Sequence, residues 1–415
     1  MIVFILINMT FTYKSNPEKV QKYLLDHIRL IEDPINLART KIEDLKEKRL
    51  NEIINNIPRF KGLKLDSFQD APLLDKDLIR RKPETLFFDG VDLTNNIEKR
   101  LSSGSTGQPI EIWKSHDLFD FYSAISTHEL IHHGWTPLDV IQILHGGGIG
   151  NLGLGITPND LATQLINTRP TIVSCYPSYL LEIINLRDKE NLLKNLNLNF
   201  ICTHSEQSSV EERKRLEDFF NCRVFDEYGS TEVGPMAVQC KNGNYHIIED
   251  NIYLEVLNSD GGAAKEGEIG ELVVSDLRNE KMALIRYRIG DYGSIESEGN
   301  CGCQWDNFKV LKSLEGRIDD SFKLSNGLII PTGQLISGIS VYDRHAIKEW
   351  QIIQENFETF KIKYVKGENY NPESLKKLEA ELKVQVGENV SIILDEREKI
   401  HNWGTKRKLY KSLVK

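Results

Sequence analysis

The pattern of apolar and polar positions divides the chain into a helical beginning and an alternating middle. Residues 17–60 place Leu and Ile at helical spacing among Lys and Glu, which predicts helix along this stretch. From about residue 139, short apolar runs alternate with stretches of helical pattern at 177–196 and 208–221. The runs predicted as buried strands are 140–144, 171–174, 200–202 and 224–225. This alternation predicts strand–helix–strand units around a buried sheet.

The later part of the chain carries two further patterns. Residues 252–256 and 271–274 alternate apolar and polar positions between Gly and Asp turns, which predicts a small antiparallel unit. A charged region follows Gly316, and its pattern predicts two strands separated by a helix. These elements are expected at 360–364, 372–386 and 390–394. We therefore expect an α/β fold with a large N-terminal domain, 1–315, and a small α+β C-terminal domain, 316–415.

Length and composition limit the function classes. A chain of 415 residues exceeds one ordinary core, and 40% hydrophobic with 27% charged residues is typical of a soluble globular protein. The net charge of −9 argues against a nucleic-acid-binding surface. Met1 to Met9 are apolar, but Asn8 interrupts this short stretch, so we expect neither a signal peptide nor a membrane anchor. A cytoplasmic location is expected, with the six cysteines as free thiols or metal ligands.

A loop rich in hydroxyls and glycines lies before the alternating region. It reads S-S-G-S-T-G-Q-P from Ser102 to Pro109. Hydroxyl donors hold anionic oxygens, and glycines let backbone N–H groups approach them, so this composition predicts a phosphate cradle. The alternative is an ordinary Ser/Gly turn, since the Walker A spacing is absent. The candidate phosphate ligands are Ser102, Ser103, Gly104, Ser105, Thr106 and Gly107.

Three more motifs follow this loop in order along the chain. They are Asp226-Glu227-Tyr228-Gly229-Ser230-Thr231-Glu232, Tyr287-Arg288-Ile289-Gly290-Asp291 and Gly316-Arg317-Ile318-Asp319-Asp320. Together with the hydroxyl-rich loop they resemble the ordered signature of the adenylate-forming superfamily, which includes acyl-CoA synthetases, adenylation domains and luciferases. Within it the chain is most similar to phenylacetate-CoA ligases and CapK-type capsule-biosynthesis proteins. The resemblance extends from about residue 30 to the C-terminus.

The resemblance implies an activity and a role for each of the two domains. It implies that the first domain binds ATP and an acid, that AMP is transferred from ATP to the acid, and that the second domain is a mobile lid. Glu232 is expected to bind Mg²⁺, because Mg²⁺ prefers one or two carboxylates together with phosphate oxygens. By resemblance, Thr231 contacts phosphate and Tyr228 packs on adenine. The remaining ATP-binding candidates of this motif are Asp226, Glu227, Gly229 and Ser230.

The last two motifs are expected to bind the ribose and to contain the hinge of the lid. By resemblance, Asp291 accepts hydrogen bonds from the ribose hydroxyls, Arg317 steadies the nucleotide, and Asp319 lies at the hinge of the lid. Taken singly, these residues have simpler interpretations. Asp291 follows a glycine as turn residues do, and Glu232 has the position of a charge in the first turn of a helix. The ordered set favours the functional interpretation.

The C-terminal tail supplies the candidate catalytic lysine. It reads Gly404-Thr405-Lys406-Arg407-Lys408 and resembles the terminal glycine–lysine motif of the family, whose lysine supports adenylate formation. The family usually has lysine directly after glycine, whereas Thr405 intervenes here. Lys406 is therefore the first candidate and Lys408 the second. The alternative is a solvated basic tail.

The acid-binding region departs from the pattern of phenylacetate-CoA ligases. An aromatic-lined tract is replaced by a glycine-rich stretch from His145 to Gly150, so we expect an acyl pocket that differs from one shaped for phenylacetate. The usual Gly-Gly-Glu segment appears as Thr203-His204-Ser205-Glu206, and His204 faces either the substrate or the core. The predicted pocket residues are His145, Gly146, Tyr176, His204 and Ser205.

A set of thiols and one imidazole predicts a structural zinc site. Cys240 and His246 precede the predicted antiparallel unit, and Cys301 and Cys303 follow it, so folding could bring the four together. Three thiolates and one imidazole complete a tetrahedral zinc shell, which makes the site a structural element. The C-x-C spacing and the long gap are unusual for a zinc finger. Some relatives of the phenylacetate-CoA ligase type carry Cys and His in these regions.

A literal H-E-x-x-H motif offers a competing hypothesis. His128-Glu129-Leu130-Ile131-His132 has a helical context, in which the two histidines could bind a catalytic zinc ion. The metzincin extension fails, because residue 135 is Trp instead of Gly. We interpret His128 and His132 as ordinary helix or core histidines.

These observations favour an ATP- and Mg²⁺-dependent ligase that converts an aryl or short-chain acid to an acyl-adenylate. A thiol, CoA by default, then accepts the acyl group. Two alternatives stay open: transfer to a carrier protein or an amine, and a non-enzymatic nucleotide-binding role in capsule assembly. The expected partners are an acid and CoA or a carrier protein, with no nucleic acid and no membrane, and a homodimer stays open.

Overall fold

The structure is a computed structural model that describes residues 15–102, 109–144, 156–299, 301–332, 335, 346–401 and 407–414. Several predicted features lie outside the described residues. They are the first nine residues and the site candidates Ser103, Gly104, Ser105, Thr106, Gly107, His145, Gly146 and Lys406.

Helices lie mainly in the first half of the described chain. The α-helices are α1 (Pro17–Glu32), α2 (Ile35–Asn56), α3 (Lys76–Arg81), α4 (His116–His133), α5 (Pro158–Thr168), α6 (Pro177–Ile183), α7 (Glu190–Lys194), α8 (Val210–Phe220) and α9 (Pro372–Val386). Short 3₁₀ turns occur at Pro58–Phe60, Phe68–Asp70, Pro83–Leu86 and Ile318–Asp320. None of the helices in the described ranges is both long and apolar enough to cross a bilayer.

Strands follow the hydrophobic pattern closely. They are β1 (Ile97–Leu101), β2 (Glu111–Ser115), β3 (Ile141–Ile143), β4 (Ile172–Cys175), β5 (Phe200–His204), β6 (Arg223–Ser230), β7 (Gly234–Gln239), β8 (Tyr245–Ile247), β9 (Ile252–Leu257), β10 (Gly270–Asp276), β11 (Tyr287–Glu296), β12 (Val310–Arg317), β13 (Phe322–Lys323), β14 (Ile329–Ile330), β15 (Ile347–Gln354), β16 (Thr359–Lys366), β17 (Ser391–Glu396) and β18 (Tyr410–Ser412). The predicted strands and the helix at 372–386 are confirmed, and the fold is the mixed α/β class that was predicted.

The stretch 17–60 is helical as predicted, but it contains two helices with a break that the pattern did not indicate. The side chain of Asn16 caps α1 by accepting from the backbone N–H groups of Glu18 and Lys19. Asp33 then adopts an extended conformation before Pro34, and α2 begins at Ile35. Proline disfavours helical backbone angles at the residue before it, which explains why the helix breaks at Asp33. The helical stretch predicted at 177–196 is likewise divided, into α6 and α7.

One compact unit comprises 1–139, 225–289 and 293–313. Its strands follow the order β6-β7-β8-β12-β11-β10-β9, and β9 pairs antiparallel with β10 as the alternating pattern predicted. A buried core joins α1, α2 and α4 to the loop before β12. Its members include Ile31, Ile42, Phe121, Ile125, Val238, Ile248, Trp305 and Phe308.

The other compact unit comprises 140–224, 290–292 and 314–415. Strands β3, β4 and β5 are parallel neighbours, as expected for buried strands separated by helices. The helices α5 to α8 pack on a core that includes Leu161, Leu165, Tyr179, Ile183, Ile201 and Leu216. In the C-terminal part, the sheet has the order β17-β16-β15-β18, and α9 contributes Leu375, Leu378 and Leu382 to the same core as Phe360 and Ile362.

Helix α4 carries the H-E-x-x-H motif, and its side chains serve packing on two faces. The His128 ring lies 4.7 Å from the ring of Trp305, and the His132 ring lies 5.9 Å from it. Glu129 instead belongs to a group with Glu227 on β6. Within the described part of the chain, no group of potential metal ligands joins Glu129 to either histidine. The structural interpretation of these histidines therefore accounts for their positions.

Two carboxyl groups face each other between α4 and β6. A carboxylate oxygen of Glu129 lies within 4.8 Å of one of Glu227. Burial, followed by repulsion from Asp226, raises the pKa of Glu227 to about 7. Burial, followed by repulsion from Glu227, also raises the pKa of Glu129 well above its ordinary value. The pair is thus most favourable when protonated, since two like charges this close destabilise each other.

We expect this pair to make stability fall as pH rises. Glu227 keeps its proton in the folded state up to about pH 7 but loses it near its ordinary pKa of 4.5 when unfolded. Folding therefore takes up a proton between these values, so stability falls as pH rises from 4.5 to about 7 and changes no further once the native carboxyl is also ionised. The free energy of unfolding of Glu227→Gln, taken relative to that of wild type, should therefore rise by on the order of 3 kcal/mol between pH 4.5 and 7.5, at about 1.4 kcal/mol per pKa unit.

Urea unfolding at several pH values measures this difference. Glu388→Gln, which alters an exposed carboxyl, controls for the loss of one charge. Parallel stability profiles for wild type and Glu227→Gln would contradict the assignment.

Candidate functional site

The turn between β6 and β7 carries the central motif. Residues Thr231 to Val233 form this turn, and the hydroxyl oxygen of Ser230 accepts from the Val233 backbone N–H at 3.2 Å. Thr231 is exposed at the turn, whereas Glu232 is only 6% exposed. The turn therefore presents a hydroxyl to solvent beside a buried carboxylate.

Three neighbouring polar side chains form hydrogen bonds to the carboxylate and the backbone of this turn. The Tyr287 hydroxyl donates to Glu232 Oε1 at 3.0 Å. The Val233 carbonyl accepts from the Tyr122 hydroxyl at 2.9 Å and from Asn251 Nδ2 at 3.0 Å. These three partners were not predicted. Tyr287 lies within a quoted motif, but Tyr122 and Asn251 lie in stretches that carry no motif.

Gly234 completes the same arrangement. Its φ of +77° is unfavourable for residues with a side chain, and a Cβ atom here would lie 2.3 Å from Cζ of Tyr122. The backbone therefore lies directly on the tyrosine ring. This close approach requires glycine and fixes the distance between α4 and the turn.

A buried lysine stands beside Tyr122. Lys114 on β2 is 2% exposed, and its Nζ lies 3.4 Å from the Tyr122 hydroxyl. Burial lowers the pKa of Lys114 to about 8, and the nearby carboxylates of Asp276 and Glu232 oppose this effect. A basic side chain thus lies near the predicted Mg²⁺ ligand Glu232.

Other residues of the first two motifs have structural partners. Ser102 closes the base of its loop, because its hydroxyl oxygen accepts from the Ile110 backbone N–H at 3.0 Å. Asp226 Oδ2 accepts from the Tyr245 hydroxyl at 2.7 Å. The Tyr228 side chain is buried. Gly229 and Ser230 follow it at the end of β6.

The ribose and hinge candidates lie together in the other unit. Arg317 Nη1 donates to Asp291 Oδ1 at 3.0 Å, and Asp291 is only 6% exposed. Asp319 lies in the 3₁₀ turn that follows β12. Its neighbour Asp320 accepts from Lys408 Nζ at 2.7 Å, so the second lysine candidate contacts the predicted hinge.

The described part of the predicted acid pocket also assembles within this unit. The ring of His204, at the carboxyl end of β5, lies 5.2 Å from the Tyr176 ring with an edge-to-face geometry. His204 Nδ1 is 3.0 Å from the Ser205 hydroxyl oxygen. Ser205 has a φ of +68°, which is strained for a residue with a side chain. Carboxyl ends of parallel strands are the usual position of binding sites in such sheets.

The predicted zinc ligands converge. Cys240 follows β7, His246 lies on β8, and Cys301 and Cys303 lie in the loop between β11 and β12. Their ligand atoms all lie within 4.8 Å of one another. Cys240 Sγ is 3.6 Å from Cys301 Sγ, and Cys303 Sγ is 3.2 Å from His246 Nε2. Sulfurs around a tetrahedral zinc ion lie about 3.8 Å apart, given Zn–S bonds of about 2.3 Å.

Surrounding groups orient these ligands. His246 Nδ1 lies 3.3 Å from the Phe308 carbonyl, which leaves Nε2 directed at the sulfurs. Cys301 Sγ lies 3.2 Å from Asn244 Nδ2, and Cys303 Sγ accepts from the Trp305 backbone N–H at 3.3 Å. Hydrogen bonding from Cys303 lowers the pKa of Cys240 to about 3 and raises that of Cys303. The arrangement therefore favours the thiolate form at Cys240, the form that binds metal.

Comparison with known proteins agrees with this architecture. Residues 323–404 match the family model of the CapK C-terminal domain. The chain is 25% identical to the phenylacetate-coenzyme A ligase of Thermus thermophilus over 393 residues, covering 85% of this chain and 83% of that protein. It is 27% identical to protein CapK of Staphylococcus aureus over 202 residues, covering 48% of this chain and 43% of that protein.

A solved structure shares the fold along most of the chain. The crystal structure of 2-hydroxyisobutyryl-CoA ligase with an acyl-adenylate superposes with a TM-score of 0.74 at 16% identity, covering 93% of this chain and 91% of that one. The same ligase has been crystallised with an acyl-adenylate and CoA. The chain therefore has the fold of the adenylate-forming CoA ligases, is similar in sequence to phenylacetate-CoA ligases and to CapK, and matches the CapK C-terminal domain near its end.

Proposed function

We propose that this protein is an AMP-forming acid–CoA ligase. The observation that carries the proposal is the turn after β6, which exposes Thr231 beside a buried Glu232 that Tyr287 holds. Magnesium bound by Glu232 would neutralise charge on ATP and orient its phosphates. Asp291, paired with Arg317, would hold the ribose. The homology to phenylacetate-CoA ligases supports the same chemistry.

The proposed reaction has two steps. A carboxylate oxygen of the acid attacks the α-phosphorus of ATP, and the bond to the bridging oxygen breaks to release pyrophosphate. The sulfur of CoA then attacks the acyl carbon, AMP leaves with the carboxylate oxygen, and the thiol proton is lost. Lys114 and the Glu232 turn act in the first step, because charge on the departing pyrophosphate must be stabilised there.

The acid is proposed to be aryl or short-chain acyl. Tyr176 contacts His204, which contacts Ser205, and we infer that these three side chains line a small, partly polar pocket that suits a small acid. A phenylacetate-CoA ligase and a 2-hydroxyisobutyryl-CoA ligase are among the similar proteins, so their acids head the panel of substrates. CoA is the proposed acceptor, and a carrier protein or an amine is the alternative. A cytoplasmic location is proposed because none of the six cysteines, all of them described, forms a disulfide, as expected of free thiols or metal ligands in a reducing compartment.

Pyrophosphate release tests the function directly. We would supply ATP, Mg²⁺ and a panel led by phenylacetate and 2-hydroxyisobutyrate, with and without CoA. Acid-dependent release that CoA accelerates supports the proposed ligase. Release that CoA does not change indicates a carrier protein or an amine as acceptor. Nucleotide binding without release for any acid would contradict an enzymatic role.

Glu232→Gln should lower pyrophosphate release by about 100-fold or more, since a bound metal stabilises the transition state by several kcal/mol. The amide keeps the size of the side chain and can still accept from Tyr287, so the fold should persist. Tyr287→Phe should cause a smaller loss, because it removes only the hydrogen bond that orients the carboxylate. Unchanged turnover in Glu232→Gln would contradict its role as the Mg²⁺ ligand.

We also propose that Cys240, His246, Cys301 and Cys303 hold a structural zinc ion. Three thiolates and one imidazole fill a tetrahedral shell, which leaves no position for a substrate. The ion would tie the loop before β12 to the β7–β8 hairpin. Since β7 begins at Gly234, this link supports the strand that follows the Glu232 turn.

Metal analysis of the purified protein should find about one zinc ion per chain. Cys303→Ser should abolish this zinc and lower the midpoint of thermal unfolding, because metal binding contributes directly to folding free energy. Cys222→Ser is the matched control, since Cys222 is also half-buried but lies outside the cluster. Equal zinc content in the two variants would contradict the assignment.

A further inference from the structure

The direction of the hydrogen bonds at the Tyr122 hydroxyl is set by its two partners. Lys114 Nζ, 3.4 Å away, has only donors when it is charged, so the hydroxyl oxygen accepts there. The Val233 carbonyl, 2.9 Å away, can only accept, so the hydroxyl proton lies towards it. Burial raises the pKa of Tyr122 well above its ordinary value, which keeps this proton in place. Lys114, Tyr122 and Val233 thus form one directed chain of hydrogen bonds.

This chain of hydrogen bonds ends on the residue that follows Glu232. Asn251 Nδ2 donates to the same Val233 carbonyl at 3.0 Å and to the Pro235 carbonyl at 2.7 Å. The Val233 backbone N–H donates to the Ser230 hydroxyl oxygen at 3.2 Å. Both polar groups of the Val233 backbone are therefore held by side chains, and these hydrogen bonds oppose rotation of the turn.

The Tyr122 ring occupies the space that a side chain at position 234 would need. A Cβ atom added to Gly234 would lie 2.3 Å from Cζ of the ring and 2.6 Å from both Cε atoms. Cζ is the carbon that carries the hydroxyl, so the absence of a side chain at Gly234 lets that hydroxyl reach the Val233 carbonyl. Any other residue at position 234 would have to displace the ring, and the φ of +77° also favours glycine.

Glu232 is held at its other end by Tyr287. The Tyr287 hydroxyl donates to Oε1 at 3.0 Å, and Glu232 is only 6% exposed. The position of the carboxylate therefore depends on two anchors, one at the backbone and one at the head of the side chain. Groups that orient a metal ligand in this way commonly contribute about 10- to 100-fold to metal affinity or activity.

We propose that Tyr122 is a positioning residue for the metal site, which directs the Glu232 carboxylate through the Val233 carbonyl. This role rests on the proposed function, in which Glu232 binds Mg²⁺ together with ATP. Because Tyr122 acts through the turn, its effect on ATP binding requires both the metal ion and the carboxylate. A residue that only stabilises the fold would affect ATP binding with or without the metal ion.

Tyr122→Phe tests this role with little disturbance of the fold. The phenyl ring still occupies the space beside Gly234. Asn251 still donates to the Val233 carbonyl, so this carbonyl keeps a donor. The variant therefore removes only the two hydrogen bonds of the hydroxyl.

Calorimetric titration with ATP in the absence of acid measures binding without turnover. Each variant would be titrated with ATP in Mg²⁺ and again with ATP in EDTA, which removes the metal ion. In wild type, Mg²⁺ should tighten the binding of ATP. Tyr122→Phe should weaken ATP binding in Mg²⁺ by about 10-fold and leave binding in EDTA within about twofold of wild type.

The Glu232→Gln background shows whether Tyr122 acts through the carboxylate. There, adding Tyr122→Phe should change ATP binding in Mg²⁺ by less than about twofold, because both substitutions remove the same interaction. Tyr23→Phe is the matched control. Tyr23 packs its ring 5.6 Å from that of Phe121, the neighbour of Tyr122 on α4, but forms none of the hydrogen bonds that hold the turn. This control should keep wild-type affinity in both titrations.

Three results would overturn the role of Tyr122 in a protein whose ATP binding responds to Mg²⁺. They are wild-type affinity in Tyr122→Phe, an equal loss in Mg²⁺ and in EDTA, and an undiminished loss in the Glu232→Gln background. A wild type whose ATP binding does not respond to Mg²⁺ overturns the assignment of Glu232, and this role with it. A wild type that responds to Mg²⁺ but releases no pyrophosphate overturns the ligase alone, and the titrations still decide the role of Tyr122.

Discussion

Burial of the Glu232 carboxylate is the constraint on which the candidate site depends. A carboxylate removed from water must find hydrogen-bond donors or counter-charges, or it will take up a proton. Tyr287 donates to it, and the positive charge of Lys114 lies near it. Tyr122 and Asn251 hold the backbone of the same turn. The carboxylate and the backbone of the turn are thereby held by side chains of the protein itself.

The buried polar groups of this protein fall into three kinds with different consequences. Glu129 and Glu227 are two acids whose burial and mutual repulsion favour their protonated forms, so they make stability depend on pH. Arg407 and Glu212 are residues of opposite charge type that are joined by two hydrogen bonds. The cysteine–histidine cluster provides the ligands that a metal ion needs. Each kind follows from the free-energy cost of burying charge, which a proton, a counter-ion or a metal ion offsets.

Much of the fold could be predicted because local patterns determine it. The period of apolar residues located β9, β10, β16 and α9 nearly to the residue. The zinc ligands were found because Cys and His are rare and chemically distinctive, and their convergence was confirmed. The break between α1 and α2 was missed, although Pro34 marks it, because the helical period continues on both sides. The roles of the described ATP-site residues stay predictions.

The sequence by itself determined the order of motifs, the secondary structure and the chemical types available to the site. These depend on neighbours in the chain, whose spacing is visible in one dimension. Only the tertiary structure decided which side chains support the motifs. Tyr122 reaches Val233 across 111 positions, and Arg407 reaches Glu212 across 195. Such partners carry no local signal, because any tyrosine or arginine can donate, and packing alone brings a particular one within hydrogen-bond distance.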